Sequence, residues 1–263
     1  MTVVLAGVGA DTTNLGTVAP LYPDGRFEYV PIPEKVPETD EPLDLGSWTL
    51  RYDDRTAADL TTRIVPNPAD GTPVTGTDLD RWPLHHDPNF EALTYGEHRP
   101  GYVDRLTRLD SGDVVGFYAG LREPDGERIH RYLIGYVTVQ DVTVLSPEAQ
   151  PAERADLLAE HPDNAHAKRA IDGQPYYDDR AVVIVDGTTP GGLFERDPIR
   201  MSEYRTLDGN VRAQYYLRES FEREFEVVEG RRNMQFKPAY LCDLAGEAFV
   251  DRVGVPGERS EVR

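Results

Sequence analysis

The chain has 263 residues, and its 47 Asp and Glu residues against 28 Lys and Arg residues give a formal net charge of −19. Apolar residues make up 39% and aromatic residues 9%, which is lean for a folded protein but argues against disorder of the whole chain. The single cysteine, Cys242, excludes an intrachain disulfide framework and a cysteine-based zinc site, and its apolar surroundings predict a buried, inert thiol.

The charge pattern predicts a salt-adapted protein of the haloarchaeal type. Lysines occur only at positions 35, 168 and 237, so the basic residues are almost all arginines. A carboxylate-rich surface stays hydrated, and salt screens the repulsion between its charges. Strong acidity normally argues against nucleic-acid binding, but this argument loses force when every surface is acidic. Without a basic leader or a run of roughly 20 apolar residues, we expect a cytoplasmic protein with no membrane contact.

The predicted elements of the first half begin with a buried strand over residues 3–7. A loop rich in Gly, Thr and Asn follows, and then a hairpin whose turn is Pro23-Asp24-Gly25, since Asp-Gly between apolar runs is a hairpin signal. Residues 31–46, which are rich in Pro and Glu, are predicted to form an extended surface segment.

The second half contains the strongest predicted hairpin, formed by strands over residues 113–120 and 129–139 around Pro124-Asp125-Gly126. Short helices over 151–160 and 163–170, a strand over 181–185 and a helix over 211–225 follow. These elements predict an α+β fold. We expect one domain over residues 1–254, built on a mixed or mostly antiparallel sheet with peripheral helices, and a frayed tail over 255–263. Closure of the sheet into a barrel is an open alternative.

The first candidate site is the loop that follows the opening strand. A dinucleotide fingerprint would need glycine where Thr12 stands, and no Gly-Lys-Ser/Thr motif occurs, so neither a Rossmann nor a P-loop site is expected. The loop could hold a polar ligand through its backbone N–H groups, with Gly9, Asp11 and Asn14 taking part. Alternatively, its glycines serve only a turn.

The second candidate is His85-His86-Asp87. Neighbouring side chains on a strand point to opposite faces, so His85 and His86 are not expected to share one metal ion. A site for a divalent cation would need further ligands such as Asp53, His98, His161 or His166. We favour a polar pocket in which one histidine donates a hydrogen bond, and the cation stays an open alternative.

Two further clusters of polar residues are candidate sites. Asp54, next to Asp53, could act as an acid, a base or a cation ligand, although adjacent carboxylates arise by chance in so acidic a chain. Asn164, His166 and Lys168 offer donors suited to phosphate groups or base edges, or they form a solvated helix surface. Aromatic residues such as Tyr118 could stack on a base, although most are expected in the core.

The order of these motifs resembles that of the third type of nucleotide-modification-associated domain. The residues that carry the resemblance are Gly9 to Thr13, Ala19 to Arg26, Pro31-Ile32-Pro33, Tyr52-Asp53-Asp54, His86-Asp87-Pro88, Gly112 to Gly120 and His161 to His166. The resemblance implies an α+β fold and an association with DNA-base modification. The middle hairpin is also similar to the PUA-like small barrels, a group that includes readers of RNA and of modified DNA bases.

Three functional hypotheses follow. In the first, an accessory protein of base modification binds a nucleotide or modified base in a polar-aromatic pocket. That pocket is lined by Asp11, Asp54, His86 and Asp87, with hydrogen bonds from Asn164 and His166. In the second, an enzyme acts on such a ligand, with Asp54 or Asp87 as general base or metal ligand and His86 as proton carrier. In the third, the chain is an interaction module without a small-molecule site. The oligomeric state is left open. The ligand-binding residues predicted for the first two hypotheses are Gly9, Asp11, Asn14, Tyr118, Asn164, His166 and Lys168.

Overall fold

The computed structural model describes residues 2–66, 71–169, 180–206 and 212–257. Over these ranges the chain folds as one α+β domain with a large mixed sheet and peripheral helices, as predicted. The strands are Val3–Gly7 (β1), Ala19–Pro20 (β2), Ile32–Pro33 (β3), Arg63–Ile64 (β4), Val74–Thr75 (β5), Leu84–His85 (β6), Thr94–Glu97 (β7), Val114–Arg122 (β8), Ile129–Leu145 (β9), Val182–Leu193 (β10), Ile199–Arg200 (β11), Ser202–Arg205 (β12), Gln214–Leu217 (β13), Val227–Glu229 (β14) and Tyr240–Cys242 (β15).

The helices are short and lie around the sheet. They are Gly76–Asp80 (α1), Pro100–Leu106 (α2), Pro151–Ala159 (α3), Ala165–Lys168 (α4), Glu219–Glu224 (α5) and Gly246–Val253 (α6), with a 3₁₀ turn at Ala58–Leu60. In the part of the chain that the structure describes, none of them combines the length and the apolar character that a membrane crossing requires. Helices α3 and α4 confirm the pair predicted on either side of Pro162.

The large sheet has nine strands, and its main path runs β14-β15-β1-β8-β9-β10-β7. Strand β1 is parallel to β8 and antiparallel to β15, and β2 is also parallel to β8. The other strand pairs of this sheet are antiparallel, so the sheet is mixed. The barrel-like closure does not form among the described residues, because β14 and β7 are the two ends of the path and do not pair with each other.

The hairpin of β8 and β9 is confirmed, and it forms the centre of the sheet. Its strands are apolar on both faces because both faces are covered; Phe117 and Tyr136, for example, are fully buried. Strand β9 continues to Leu145, beyond the predicted end at residue 139, because its second half pairs with β10. The core therefore surrounds this hairpin on both sides.

The predicted helix over 211–225 is wrong, and Val211 lies outside the described residues. Strand β13 occupies Gln214–Leu217 and pairs with β12, and only Glu219–Glu224 is helical. The apolar positions mix two periods: Tyr215 and Leu217 alternate as in a strand, while Phe221 and Phe225 have helical spacing.

The segment over residues 31–46 is extended, but its charged residues do not all lie on the surface as predicted. Glu34 is 1% exposed and Glu41 is 7% exposed. The segment enters the fold because β3 pairs with β6. Arg169 and Lys168 then pair with the two buried carboxylates, which offsets the cost of removing them from water. Of the predicted tail, residues 258–263 lie outside the described residues.

Candidate functional site

A polar cavity of about 350 Å³ lies beside the end of β1. Strand β7, helix α4 and the turn at residues 236 and 237 form its other walls. Its volume is within the range of small-molecule sites in proteins. Segments that are distant along the chain therefore meet at one concave place.

His85, Asp87 and His166 meet in the wall of this cavity, and all three are buried. The Nε2 atom of His85 lies 3.6 Å from Oδ2 of Asp87, and the Nε2 atom of His166 lies 3.5 Å from the same oxygen. The three ligand atoms lie within 4.8 Å of one another. We call these three residues the His-Asp-His cluster.

Local structure fixes each member of the cluster. His85 is the last residue of β6, and a tight turn follows it in which the backbone N–H of Asp87 donates to the carbonyl of His85, at 2.8 Å. The N–H group of Gly96 on β7 donates to both carboxylate oxygens of Asp87, at 3.0 and 3.2 Å. Asn164 caps helix α4 by accepting a hydrogen bond from the backbone N–H of His166, at 2.9 Å.

The charges of the cluster follow from its contacts. Burial opposes ionisation of Asp87, but the nearby imidazoles of His166 and His85 outweigh burial and lower its pKa to about 2. Burial is the largest cause that lowers the pKa of His166, which favours the neutral imidazole. Burial and the charge of Arg169 both lower the pKa of His85. The carboxylates of Glu34 and Asp87 outweigh them, so the pKa of His85 is raised overall.

Glu34 lies behind the cluster and holds His85. Its carboxylate is 2.8 Å from Nδ1 of His85, and its other oxygen pairs with Arg169. Burial opposes its ionisation, yet the nearby His85 and Arg169 lower its pKa to about 2. An ionised carboxylate at Nδ1 leaves the Nε2 atom of His85 directed at Asp87 and the cavity.

Lys237 closes the opposite wall of the cavity. Its ammonium group donates to the carbonyls of Val8, at 3.0 Å, and Gly9, and lies 3.2 Å from Asp11. Burial lowers the pKa of Lys237 to about 8, and the charge of Asp11 partly offsets this effect. The lysine therefore ties the loop after β1 to the turn at residues 236 and 237.

That turn holds Phe236 in the solvent at the edge of the cavity, and the residue is 90% exposed. The φ angles of Phe236 and Lys237 are 60° and 46°, in the left-handed region. Two hydroxyl groups hold the turn in place: Tyr102 donates to the carbonyl of Lys237, and Tyr118 donates to that of Pro238.

The structure brings some of the predicted site residues together in this cavity. Those that line it are Gly9, Asp11, Asn14, Asp87 and His166. Asn164 lies just behind them as the cap of α4. Lys168 pairs with Glu41, and Tyr118 is fully buried in the core. Asp54 is exposed and is not part of this cavity.

His86 lines a second cavity of about 500 Å³. Its ring lies 5.0 Å from that of Trp48, and Tyr29 and Phe90 form the rest of an aromatic wall. The neighbours His85 and His86 thus line different cavities. The polar and aromatic residues that we expected in one pocket are divided between two.

Several residues of the polar cavity were not predicted from the sequence, among them Lys35, Arg99, Phe236 and Lys237, and neither was Glu34, which lies behind the His-Asp-His cluster. The close spacing of His85 and Asp87 was a usable signal, because both residues lie at the end of β6 and both line the cavity. The scarcity of lysine was another, because Lys35 and Lys237, two of the chain's three lysines, line this cavity. Nothing in the local sequence marks Glu34, whose partners come from distant segments.

The family model described as nucleotide modification associated domain 3 matches residues 2–252. The chain belongs to this family. The resemblance inferred from the order of the motifs is therefore confirmed, and the family name associates the chain with nucleotide modification. Searches of curated proteins and of solved structures found no match.

Proposed function

We propose that this member of the nucleotide modification associated domain 3 family binds a nucleotide or modified base, as an accessory protein of base modification. The observation that carries the proposal is Phe236, an exposed ring held at the edge of a polar cavity. A flat apolar face beside polar groups suits a nucleobase, which combines a stacking face with hydrogen-bonding edges.

The exposure of Phe236 is costly, which supports a role in binding. A phenylalanine left in water forgoes about 1.5 to 3 kcal/mol of burial free energy. A left-handed backbone at a residue other than glycine costs roughly 1 to 2 kcal/mol, and both Phe236 and Lys237 adopt it. Backbone outliers of this kind cluster at functional sites. Ligand binding would cover the ring and recover part of the cost.

The cationic side chains of the cavity support an anionic ligand. Lys35, Arg99, Arg169 and Lys237 line it, against the three carboxylates of Asp11, Asp87 and Glu97, in a chain whose net charge is −19. The guanidinium group of Arg99 donates two hydrogen bonds to the carboxylate of Glu97, which fixes the orientation of the guanidinium plane. A phosphate at this edge of the cavity would contact Arg99 and Lys35 while the base stacks on Phe236.

The setting that we propose is the cytoplasm of a salt-accumulating cell, and the support for it is the acidic, lysine-poor composition. Stacking and short hydrogen bonds act at contact distance, so salt weakens them less than long-range attraction between charges. Binding through Phe236 and the cavity would therefore persist in molar KCl.

The test is equilibrium binding of nucleoside monophosphates and modified nucleosides to the full chain in molar KCl, by calorimetry and thermal shift. We expect Phe236→Ala to weaken binding about 5- to 150-fold, since stacking contributes about 1 to 3 kcal/mol per base. Phe236→Trp keeps a flat ring and should retain affinity. The matched control is Val228→Ala, which removes an exposed apolar side chain that does not line the cavity. Equal affinity of the Phe236→Ala variant, or no binding of any nucleotide tested, contradicts the proposal.

An enzyme acting on the same ligand is the second candidate, and the His-Asp-His cluster favours it. A neutral imidazole such as that of His166 accepts a proton near pH 7 more readily than a carboxylate with a pKa of about 2 does. His166 is therefore the general base of this alternative, and Asp87 orients it. Conversion of a bound nucleotide, followed by mass spectrometry, should disappear in His166→Gln while binding persists; absence of any product with the native chain contradicts it.

A further inference from the structure

We propose that the His-Asp-His cluster binds a divalent ion of a first-row transition metal. Its ligands are Nε2 of His85, Oδ2 of Asp87 and Nε2 of His166. This inference goes beyond the ligand binding proposed above and does not depend on it. The metal would bind to the His-Asp-His cluster, whereas the nucleotide would contact Phe236 and Arg99.

The spacing of the donor atoms suits a shared ion. Ligands at about 2.1 Å from a metal lie about 3.0 to 3.4 Å apart in octahedral or tetrahedral geometry. The two imidazole nitrogens lie 3.6 and 3.5 Å from the carboxylate oxygen. All three donor atoms lie within 4.8 Å of one another, so rotation of the rings toward a shared ion would bring them into coordination distance.

The surroundings of the cluster match those of metal ligands. A metal-bound histidine usually donates its second ring N–H to a carboxylate, which fixes the ring and strengthens the ligand. The Nδ1 atom of His85 has such a partner in Glu34, at 2.8 Å, and Arg169 holds Glu34 in turn. The carboxylate of Asp87 is likewise fixed by the N–H group of Gly96.

The donor set selects the class of metal. Two imidazoles and one carboxylate suit Zn²⁺, Fe²⁺ or Co²⁺, whereas Mg²⁺ and Ca²⁺ prefer oxygen ligands throughout. Three protein ligands leave coordination positions open, as in catalytic sites. All three residues line the cavity, so the open positions would be accessible to a water molecule or to a bound ligand.

The test uses the full chain in molar KCl, stripped with a chelator and then titrated with Co²⁺ and Zn²⁺ alone. We expect one ion per chain by elemental analysis, visible absorption bands for bound cobalt, and no competition from Mg²⁺. Asp87→Asn and His166→Gln should each weaken Zn²⁺ binding about 100-fold, and Glu34→Gln about 10- to 100-fold as a positioning residue. His86→Gln is the matched control, because it removes the neighbouring imidazole, which lines the other cavity.

Several results would overturn the metal site: fewer than one ion per chain, equal affinity of the Glu34→Gln and native chains, or equal losses in His86→Gln and His166→Gln. Circular dichroism identifies a variant that fails to fold, and Glu34→Gln then tests the site without altering a ligand. Nucleotide binding is measured separately on the metal-free chain. If the chain binds nucleotide but no metal, only the metal site is rejected. If it binds metal but no nucleotide, only the proposed function is rejected.

Discussion

The backbone of Gly96 lies against the imidazole ring of His166, so closely that a Cβ atom at position 96 would collide with the ring atom Cδ2. The same Cβ atom would also come within 2.9 Å of Oδ1 of Asn164, the atom that caps helix α4. Because the N–H group of Gly96 donates to Asp87, this one residue positions two members of the cluster.

Gly96→Ala should therefore displace His166 and weaken Zn²⁺ binding by about 10-fold or more. We expect a loss of about 1 to 3 kcal/mol in the free energy of unfolding, as for other overpacked sites. The control is Gly101→Ala in helix α2, where a Cβ atom would meet only an arginine nitrogen at 4.0 Å. Denaturant titration and Zn²⁺ titration of both variants check the prediction, and unaltered Zn²⁺ binding in Gly96→Ala would contradict it.

Lys237 predicts a pH dependence of stability. Burial lowers its pKa to about 8 in the folded state, against 10.5 for an unperturbed lysine. Between these pH values the unfolded chain binds more protons, so the free energy of unfolding should rise with pH, by on the order of 1 kcal/mol per pH unit. Below pH 8 both states are protonated and this contribution is constant.

Lys237→Met isolates this contribution, because every other titrating group is kept. The difference in unfolding free energy between the native chain and this variant, measured by denaturant titration, should become more favourable to the native chain from pH 8 to pH 10. A difference that stays flat over that interval would show that the Lys237 pKa is not depressed.

Cys242 should act as a reporter of unfolding. The thiol is fully buried on β15, and burial raises its pKa to about 12. Thiolates are the reactive form, so we expect the folded chain to react with a thiol reagent at least about 100-fold more slowly than the chain in guanidinium chloride. Absorbance of the released chromophore follows the reaction, and similar rates in both states would contradict the burial of this strand.

The net charge of −19 predicts that stability increases with salt. Added KCl shortens the screening length from about 10 Å at 0.1 M to about 3 Å at 1 M, which reduces repulsion between carboxylates. The thermal midpoint should therefore rise with KCl concentration. Sucrose at equal osmolality serves as the uncharged control, and an equal rise in sucrose would rule out charge screening as the cause.

Much of the fold could be predicted because its central elements are marked locally. The runs around Phe117 and Tyr136 are apolar and enclose an Asp-Gly turn, so the hairpin of β8 and β9 follows from the sequence. The prediction failed around Tyr215 because a strand is followed by a helix within a few residues. The apolar residues of this stretch therefore combine the spacing of a strand with that of a helix.

The candidate site was predicted only in part, for physical reasons. Asp87 and His166 stand out as polar residues in distinctive motifs, and both line the cavity. Glu34 acquires its role only through Arg169 and His85, which are far away in sequence, so no local pattern marks it. The separation of His86 from the polar cavity depends on the tight turn after β6, in which the N–H group of Asp87 donates to the carbonyl of His85.

The most direct test of nucleotide binding at the polar cavity is a crystal structure of the full chain grown in molar KCl with a bound nucleoside monophosphate. We predict electron density for the base stacked on the ring of Phe236, with the phosphate beside Arg99 at the polar cavity. Density for the nucleotide in the aromatic cavity around Trp48, or on another face of the protein, would contradict this prediction.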